Sequence, residues 1–551
     1  MSRPIPTSSP VDRARAREVE ARLAALGFAP RARGFSLAGE VAGEPWSAAR
    51  LAAALPGLGP VFAAFGRYLG SRADLLPVAD CLVLAAIPDR GEPAAAMPEI
   101  SERIAAELGA PPLERFLAFE EAPFAVRLFH QAHRAWVAGG DAVVVRIAAP
   151  EMEEAIARDA PLLPLLSRAL PVGFPLDEAR EDFRQALADE TDFTLTAEAL
   201  EEIAREPAER DLPPDAADRL EAPRVERRLT TSRVLTVTAL AGTPVPGPAP
   251  GGPREEAAAY RLAQRLVRFW LRQALLGRKL PLTADLAITS GGREGRLAVL
   301  FGSFAGTHGG AQANLLEYLR AAATDDPEQV FACLVREVVP APKAMPAVPR
   351  GDLRKQLCQV VPLHHEELGA GGAGLAEHLL AHWRVLRQCG YRPELHLESF
   401  YRGLLWVTHA ARRLAPVGDP LRDPLRDALE ELQWDAGWSQ VRRLADPRQL
   451  GEAFEGYLAT LAVLPQQMEQ AIALLGRPET PRRERRRSAQ GARDSGATSL
   501  ALGLVMAGLA LVVHRLTPLP GLPGGMIERA GALLFLALGT LYLWRAGGRR
   551  S

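Results

Sequence analysis

The sequence predicts an α+β body, a helical extension behind it and an apolar hairpin at the C-terminus. Three observations carry this. The β-branched run Val143-Val144-Val145-Arg146-Ile147, bounded by Gly140 and Pro150, has the pattern of a buried strand. Glu255–Leu276 puts Leu262, Leu266, Phe269 and Trp270 on one helical face. Ser499–Val513 and Ala530–Trp544 are two nearly uncharged apolar runs.

The chain has 551 residues, room for roughly two to four domains, and a net charge of −1, which argues against a nucleic-acid partner. Its basic residues are almost all arginine: the lysines are Lys279, Lys343 and Lys355, and Asn314 is the one asparagine. Any site built on lysine and asparagine therefore has few candidates. Cys81, Cys333, Cys358 and Cys389 are scattered without a CxxC pair, so neither a disulfide framework nor a zinc site is expected. The first thirty or so residues lack the apolar stretch of a secretory signal.

Along the chain, residues 1–57 form a helical lead-in, with a helix around Val11–Leu26. The body runs from 58 to 345. It holds the strand at Asp141–Ala148, a loop rich in proline and glycine at Gly242–Pro253, and the helix that follows. A second short strand, Arg296–Phe301, is entered by the turn at Gly291-Gly292. Residues 346–476 are helical, with Leu375, Leu379, Leu380 and Trp383 on an apolar face. The linker 477–497 contains Arg482, Arg483, Arg485, Arg486 and Arg487, and 498–545 is the hairpin, its two runs separated by Pro518, Pro520 and Pro523. Each run is short of the roughly 20 residues of a full span, so a thin or compressed bilayer is implied. Arginines before the first run and after the second place both ends on the cytoplasmic side by the positive-inside rule.

Several motifs resemble one family in order and spacing. Leu58-Gly59-Pro60-Val61-Phe62, then Gly70-Ser71-Arg72-Ala73-Asp74-Leu75-Leu76-Pro77, resemble the segment preceding the kinase core of the UbiB/AarF family of atypical kinase-like proteins. Pro123-Phe124-Ala125 and Gln131-Ala132-His133-Arg134-Ala135 resemble its alanine-rich loop, and Glu190-Thr191-Asp192-Phe193 its ExD motif. Leu404–Pro416 is similar to the helical extension of that family, and the terminal hairpin to that of its bacterial members. The resemblance implies a protein-kinase-like core with a nucleotide site at Ala125, Gln131, Arg146, Glu190 and Asp192, served by ATP and magnesium.

The departures are as specific. The lysine and glutamine of KxGQ fall on Ala64 and Arg67, the strand lysine on Arg146, and the second glutamate after ExD on Thr196, with Glu198 near. The catalytic HxD…N loop falls on Leu280–Ala287, with Leu282 and Ala287 at its aspartate and asparagine; DFG becomes Leu300-Phe301-Gly302. Phosphoryl transfer on this fold relies on magnesium held by carboxylates, and leucine is no ligand. In a second alignment Asp285 takes the base position, though the metal ligands are still missing. Structural or loop duty is expected for Asp285, no metal site is expected, and ATP and magnesium binding are both doubtful.

These features point to a membrane-anchored pseudokinase, an accessory factor in ubiquinone or prenyl-lipid biosynthesis. Its expected partners are membrane lipid, prenyl-lipid intermediates, and ubiquinone-biosynthesis proteins or an intact UbiB paralogue. The expected location is a bacterial inner membrane, with the body on the cytoplasmic side. A divergent UbiB-type ATPase and a scaffold unrelated to quinones are the alternatives. Other motifs are weaker. Gly369–Gly374 fits GxGxxG without the preceding strand. His378 and His382, one helical turn apart, read as packed or solvated side chains, and Ser71, Ser232 and Ser303 lack a nucleophile elbow. His133 is expected to bond backbone.

Overall fold

The computed structural model describes residues 12–28, 46–91, 94–205, 220–245, 253–276, 278–289, 296–306, 312–341, 347–360, 374–415, 419 and 421–429. The linker 477–497 and the hairpin expected over 498–545 lie outside them, as does the Gly369–Gly374 motif apart from its last residue. Among the described residues no helix is long and apolar enough to cross a membrane.

The lead-in contributes α1 (Arg13–Ala25) and α2 (Ala48–Leu58), and the body opens with α3 (Pro60–Leu69) and α4 (Val78–Ala85). The Asp12 carboxylate caps α1, accepting from the Ala14 and Arg15 amides. Gly59 joins α2 to α3 at φ 127°, a conformation open to glycine, and Pro60 starts α3 at once.

The small lobe is built on α5 (Met97–Leu108), α6 (Pro112–Arg115), β1 (Ala118–Phe119), β2 (Ala125–Val126), β3 (His130–Trp136) and β4 (Ala142–Ala148). After α7 (Met152–Asp159), α8 (Leu176–Glu190) and α9 (Phe193–Arg205), β5 (Val234–Thr238) completes an antiparallel sheet of order β1-β3-β4-β5, with β2 also on β3. The period of two along β4 sorts its side chains. Val143, Val145 and Ile147 pack with Ile100 and Ile104 of α5, while Arg146 turns to the other face.

The remainder is larger and more helical: β6 (Gly242–Pro244), α10 (Pro253–Leu275), β7 (Leu280–Thr289), β8 (Arg296–Ala305), α11 (Gln312–Ala323), α12 (Pro327–Leu334), β9 (Val338–Pro340), α13 (Arg350–Cys358), α14 (Leu375–Gln388), β10 (Tyr391–Pro393), α15 (Leu395–Leu414) and α16 (422–429). Strands β6, β7 and β8 form one sheet and β9 pairs with β10. One apolar core runs from Val19 to Leu429, so body and extension share it. Helix α15 comes close to β7 at Gly403, where a Cβ would meet the Pro281 carbonyl at 2.8 Å and the Trp270 indole at 2.9 Å.

The structure corrects three expectations. Leu280–Ala287, expected as the catalytic loop, is strand: β7 is paired with β8 along its length, and Leu280, Leu282, Leu286 and Ala287 are buried. Four buried apolar side chains favour a packed ladder over an exposed loop. Asp285 accordingly stands on a strand, opposite Phe301, and β8 runs on to Ala305, past the expected end at Phe301. The expected loop at Gly242–Pro253 begins as strand β6, paired with Ala287–Thr289. Lack of a side chain at Gly242 permits this, since a Cβ there would lie 2.9 Å from the Ile288 carbonyl.

Candidate functional site

Between the small lobe and the β7–β8 hairpin lies a cleft lined by Asp89, Phe129, His130, Met152, Glu190, Thr191, Phe193 and Phe301. Arg146 reaches it from β4, held between Ala132 of β3 and Leu235 of β5. Its guanidinium lies 4.4 Å from the centre of the Phe301 ring. The same ring touches His130 at 4.8 Å and the edge of Phe193 at 5.9 Å between centroids. A group of aromatic rings capped by a cation thus packs across the cleft. The room left is about that of a single water molecule.

Arg146 is 7% exposed, and among the described residues no carboxylate pairs with it. One terminal nitrogen lies 3.4 Å from His130 Nε2, and because a guanidinium only donates, that imidazole nitrogen accepts. The Arg146 Nε is buried with no hydrogen-bond partner. Burial pushes Arg146 down to about 10, with Asp285 opposing and Arg127 reinforcing the shift. His130 is held neutral, its value driven well below the ordinary one by burial first and then by Arg146 and Arg127.

The acidic groups near the cleft are engaged unequally. Arg127 bridges Asp285 at 3.0 Å and Asp89 at 3.4 Å, and Asp89 also accepts the Leu128 amide at 3.2 Å. Asp192 precedes α9: one carboxylate oxygen accepts the Thr194 amide at 3.0 Å and its hydroxyl at 2.6 Å. Glu190, the last residue of α8, opens at the cleft mouth. Enclosure raises its carboxyl above the usual range, and Asp89 adds to that. Thr196, at the position of the family's second glutamate, donates to the Gly302 carbonyl at 3.0 Å. Glu198 instead pairs with Lys279 at 3.2 Å.

The small-lobe residues implied by the resemblance are tied into the sheet. Gln131 Oε1 accepts the Ala95 amide at 3.0 Å, and its Nε2 donates to His133 Nε2 at 2.8 Å. His133 must then carry its proton on Nδ1, which donates to the Glu120 carbonyl at 2.8 Å; this is the backbone bond expected for it. Ala125 lies on β2 opposite Ala132.

Magnesium does not fit the donors present. Leu282, Ala287 and Leu300 offer no oxygen from a side chain, Asp285 and Asp89 are bridged by Arg127, and Glu190 stands alone at the mouth. Among the described residues, the group of His, Cys, Asp or Glu side chains close enough to share an ion is Glu337, Glu394 and His396, at the start of α15. There His396 Nε2 meets Glu337 at 2.7 Å while the other nitrogen faces Glu394 at 4.0 Å, a side-chain contact on one carboxylate rather than a chelate. His378 and His382 are packed side chains, as expected. His382 Nδ1 is 3.0 Å from the Tyr318 hydroxyl, itself 2.9 Å from that of Tyr401. Of the six implied site residues, Arg146, Glu190 and Asp285 gather around the cleft; Ala125, Gln131 and Asp192 serve local structure. His130, Asp89 and Arg127 carried no sequence signal, since only three-dimensional contact gives them a role, while Phe193 stood in the sequence only as the end of the ExD motif.

The model of the ABC1 atypical kinase-like domain matches residues 90–333. A protein of Pseudomonas putida named "Probable protein kinase UbiB" is 31% identical over 210 residues, covering 36% of this chain and 36% of that protein. The protein of the same name from Pseudomonas paraeruginosa is 33% identical over 169 residues, 28% of this chain and 30% of that one. An uncharacterised protein of Mycobacterium tuberculosis is 28% identical over 190 residues, 34% of this chain and 38% of that one. The chain thus spans little more than a third of the length of the curated relatives it matches. Among solved structures, the Rv3197–erythromycin complex from Mycobacterium tuberculosis matches with a TM-score of 0.36 and 17% identity, over 64% of this chain and 87% of that one.

Proposed function

This chain belongs to the UbiB/AarF family of atypical kinase-like proteins through its residues 90–333, and on that premise we propose that it is a pseudokinase. It acts without phosphoryl transfer, as an accessory factor in ubiquinone or prenyl-lipid biosynthesis, anchored to a membrane by the hairpin over 498–545. One observation carries the loss of catalysis: next to Leu300, which stands at the metal-binding aspartate's position, Phe301 lies under the Arg146 guanidinium and packs in the cleft with Phe193 and His130. Phosphoryl transfer needs a phosphate and its metal where these rings now touch. The quinone role rests on the family and on the names of the curated relatives. The anchor rests on the two apolar runs and the arginines flanking them, which also favour a body on the cytoplasmic side of a bacterial inner membrane.

A second reading, a divergent ATPase, draws on the charge kept at Arg146 and on its unpartnered Nε. Thermal unfolding of the detergent-solubilised chain with ATP, with and without magnesium, separates the two. A nucleotide at 100 times its dissociation constant adds about 2.7 kcal/mol to the folded state. The pseudokinase predicts no shift. A magnesium-dependent shift that vanishes in Arg146→Ala would establish the ATPase reading instead. Deleting the gene and measuring cellular quinone separates the accessory role from a scaffold unrelated to quinones: an unchanged quinone pool would exclude the accessory role.

A further inference from the structure

Behind the cleft, the segment Gly70–Pro77 is clasped between α8 and the helical extension by a buried ionic cluster. Arg72, 1% exposed, grips Asp74 through two bonds of 2.8 Å, reaches Asp182 of α8 at 2.9 Å, and donates to the Tyr68 hydroxyl at 2.6 Å. Arg392 of β10 binds the same Asp182 at 2.9 Å and Glu398 of α15 at 3.0 Å. One turn earlier on α8, Glu178 takes both terminal nitrogens of Arg387 from α14, one of them at 2.7 Å. From the other side, Arg384 of α14 donates to the Ala73 and Leu76 carbonyls.

Helix α8 therefore has its first half fixed by the extension and its last residue, Glu190, in the cleft. About 12 Å of continuous helix separates Asp182 from Glu190. Past that end the contacts continue without a break. The Thr191 carbonyl accepts from Arg233 at 2.6 Å, the Phe193 amide donates to the Ser232 carbonyl at 3.1 Å, and the Phe193 ring meets Phe301 edge-on. No other helix among the described residues joins charged contacts to the extension with a residue in the cleft.

We propose that α8 is a lever through which the helical extension holds the cleft shut. The clasp of Arg387 and Arg392 on Glu178 and Asp182 fixes the tilt of α8, which seats Phe193 against Phe301 under Arg146. A partner or membrane contact that draws the extension away would loosen the plug. This inference rests on the plugged cleft proposed above, and coupling of this kind requires the two ends to change together rather than merely lie in line.

Hydrogen exchange on the full-length chain in detergent tests it, comparing the native protein with Arg392→Gln, Glu178→Gln and the surface control Arg354→Gln. In both clasp variants, amides of 186–193 and 297–304 are expected to exchange roughly tenfold faster, with the control unchanged. Acceleration confined to 70–77 and 387–400 would overturn the lever. Should Arg392→Gln fail to fold, Glu178→Gln carries the same comparison. Magnesium-dependent ATP binding by the native chain would sink the pseudokinase reading, whereas the exchange pattern alone decides the lever.

Discussion

Replacing Arg146 with methionine should leave stability almost unchanged, although a buried charge is being removed. Burial takes Arg146 from its ordinary value down to about 10, which corresponds to about 3 kcal/mol of cost carried by the charged form in the folded chain. The sign follows from linkage: the unfolded chain holds this proton more tightly, so the cost is complete at every pH below 10 and falls away only above it. Against it stand the stack on Phe301, worth about 2 kcal/mol when desolvated, and the long bond to His130, worth about 1 kcal/mol at most. These nearly cancel, and methionine keeps the apolar stem packed. The expected change is within about 1 kcal/mol, or a few degrees in Tm, by thermal unfolding of the two proteins in the same detergent. Breaking a paired buried ion would instead cost about 3–5 kcal/mol. A loss of that size in Arg146→Met would refute the reasoning and mean that the guanidinium has a strong partner. A near-neutral result would show that the charge is not kept for stability.

Two further outcomes follow from other parts of the core. Burial holds His382 at about 3 rather than 6.5, so the unfolded chain takes up the proton first and stability falls as pH drops below 6.5. His382→Gln, which keeps an acceptor for Tyr318, should lessen the stability lost between pH 7 and pH 5 by about 2 kcal/mol; an identical pH profile would contradict this. Gly403→Ala should cost about 1–3 kcal/mol, because its Cβ would meet the Pro281 carbonyl and the Trp270 indole. An unchanged unfolding midpoint would show that α15 can move off β7 freely.

Much of the fold was legible because local pattern and burial agree. The run at 143–147 is β4, and the periodic leucines and aromatics after Glu255 are α10. The segment 280–287 was misread because the resemblance assigned it a loop, whereas Leu280, Leu282 and Leu286 themselves indicate buried strand. At the site, the missing aspartates and the arginine in the lysine's position were visible in the sequence, but the ring contacts that line the cleft were not. Phe301 and Phe193 are 108 residues apart in sequence (301 minus 193), and their contact depends on how β8 meets the start of α9. The clasp on α8 was hidden for the same reason: Arg72, Asp182 and Arg392 look like ordinary surface charges until the extension folds over them.

The ladder between β7 and β8 also bears on what substitution alone can build at residues 280–287. A catalytic loop must leave its backbone free to curve around a nucleophile and a metal. Here that stretch is paired with β8 from Leu280 to Thr289, with irregularities only at Pro281/Thr283 and Asp285/Leu286. Writing aspartate at 282 and asparagine at 287 would place polar groups on a buried strand without recreating a loop. A loop at this position would require undoing a hairpin as well as changing side chains, so single substitutions here pass first through forms that fold less well.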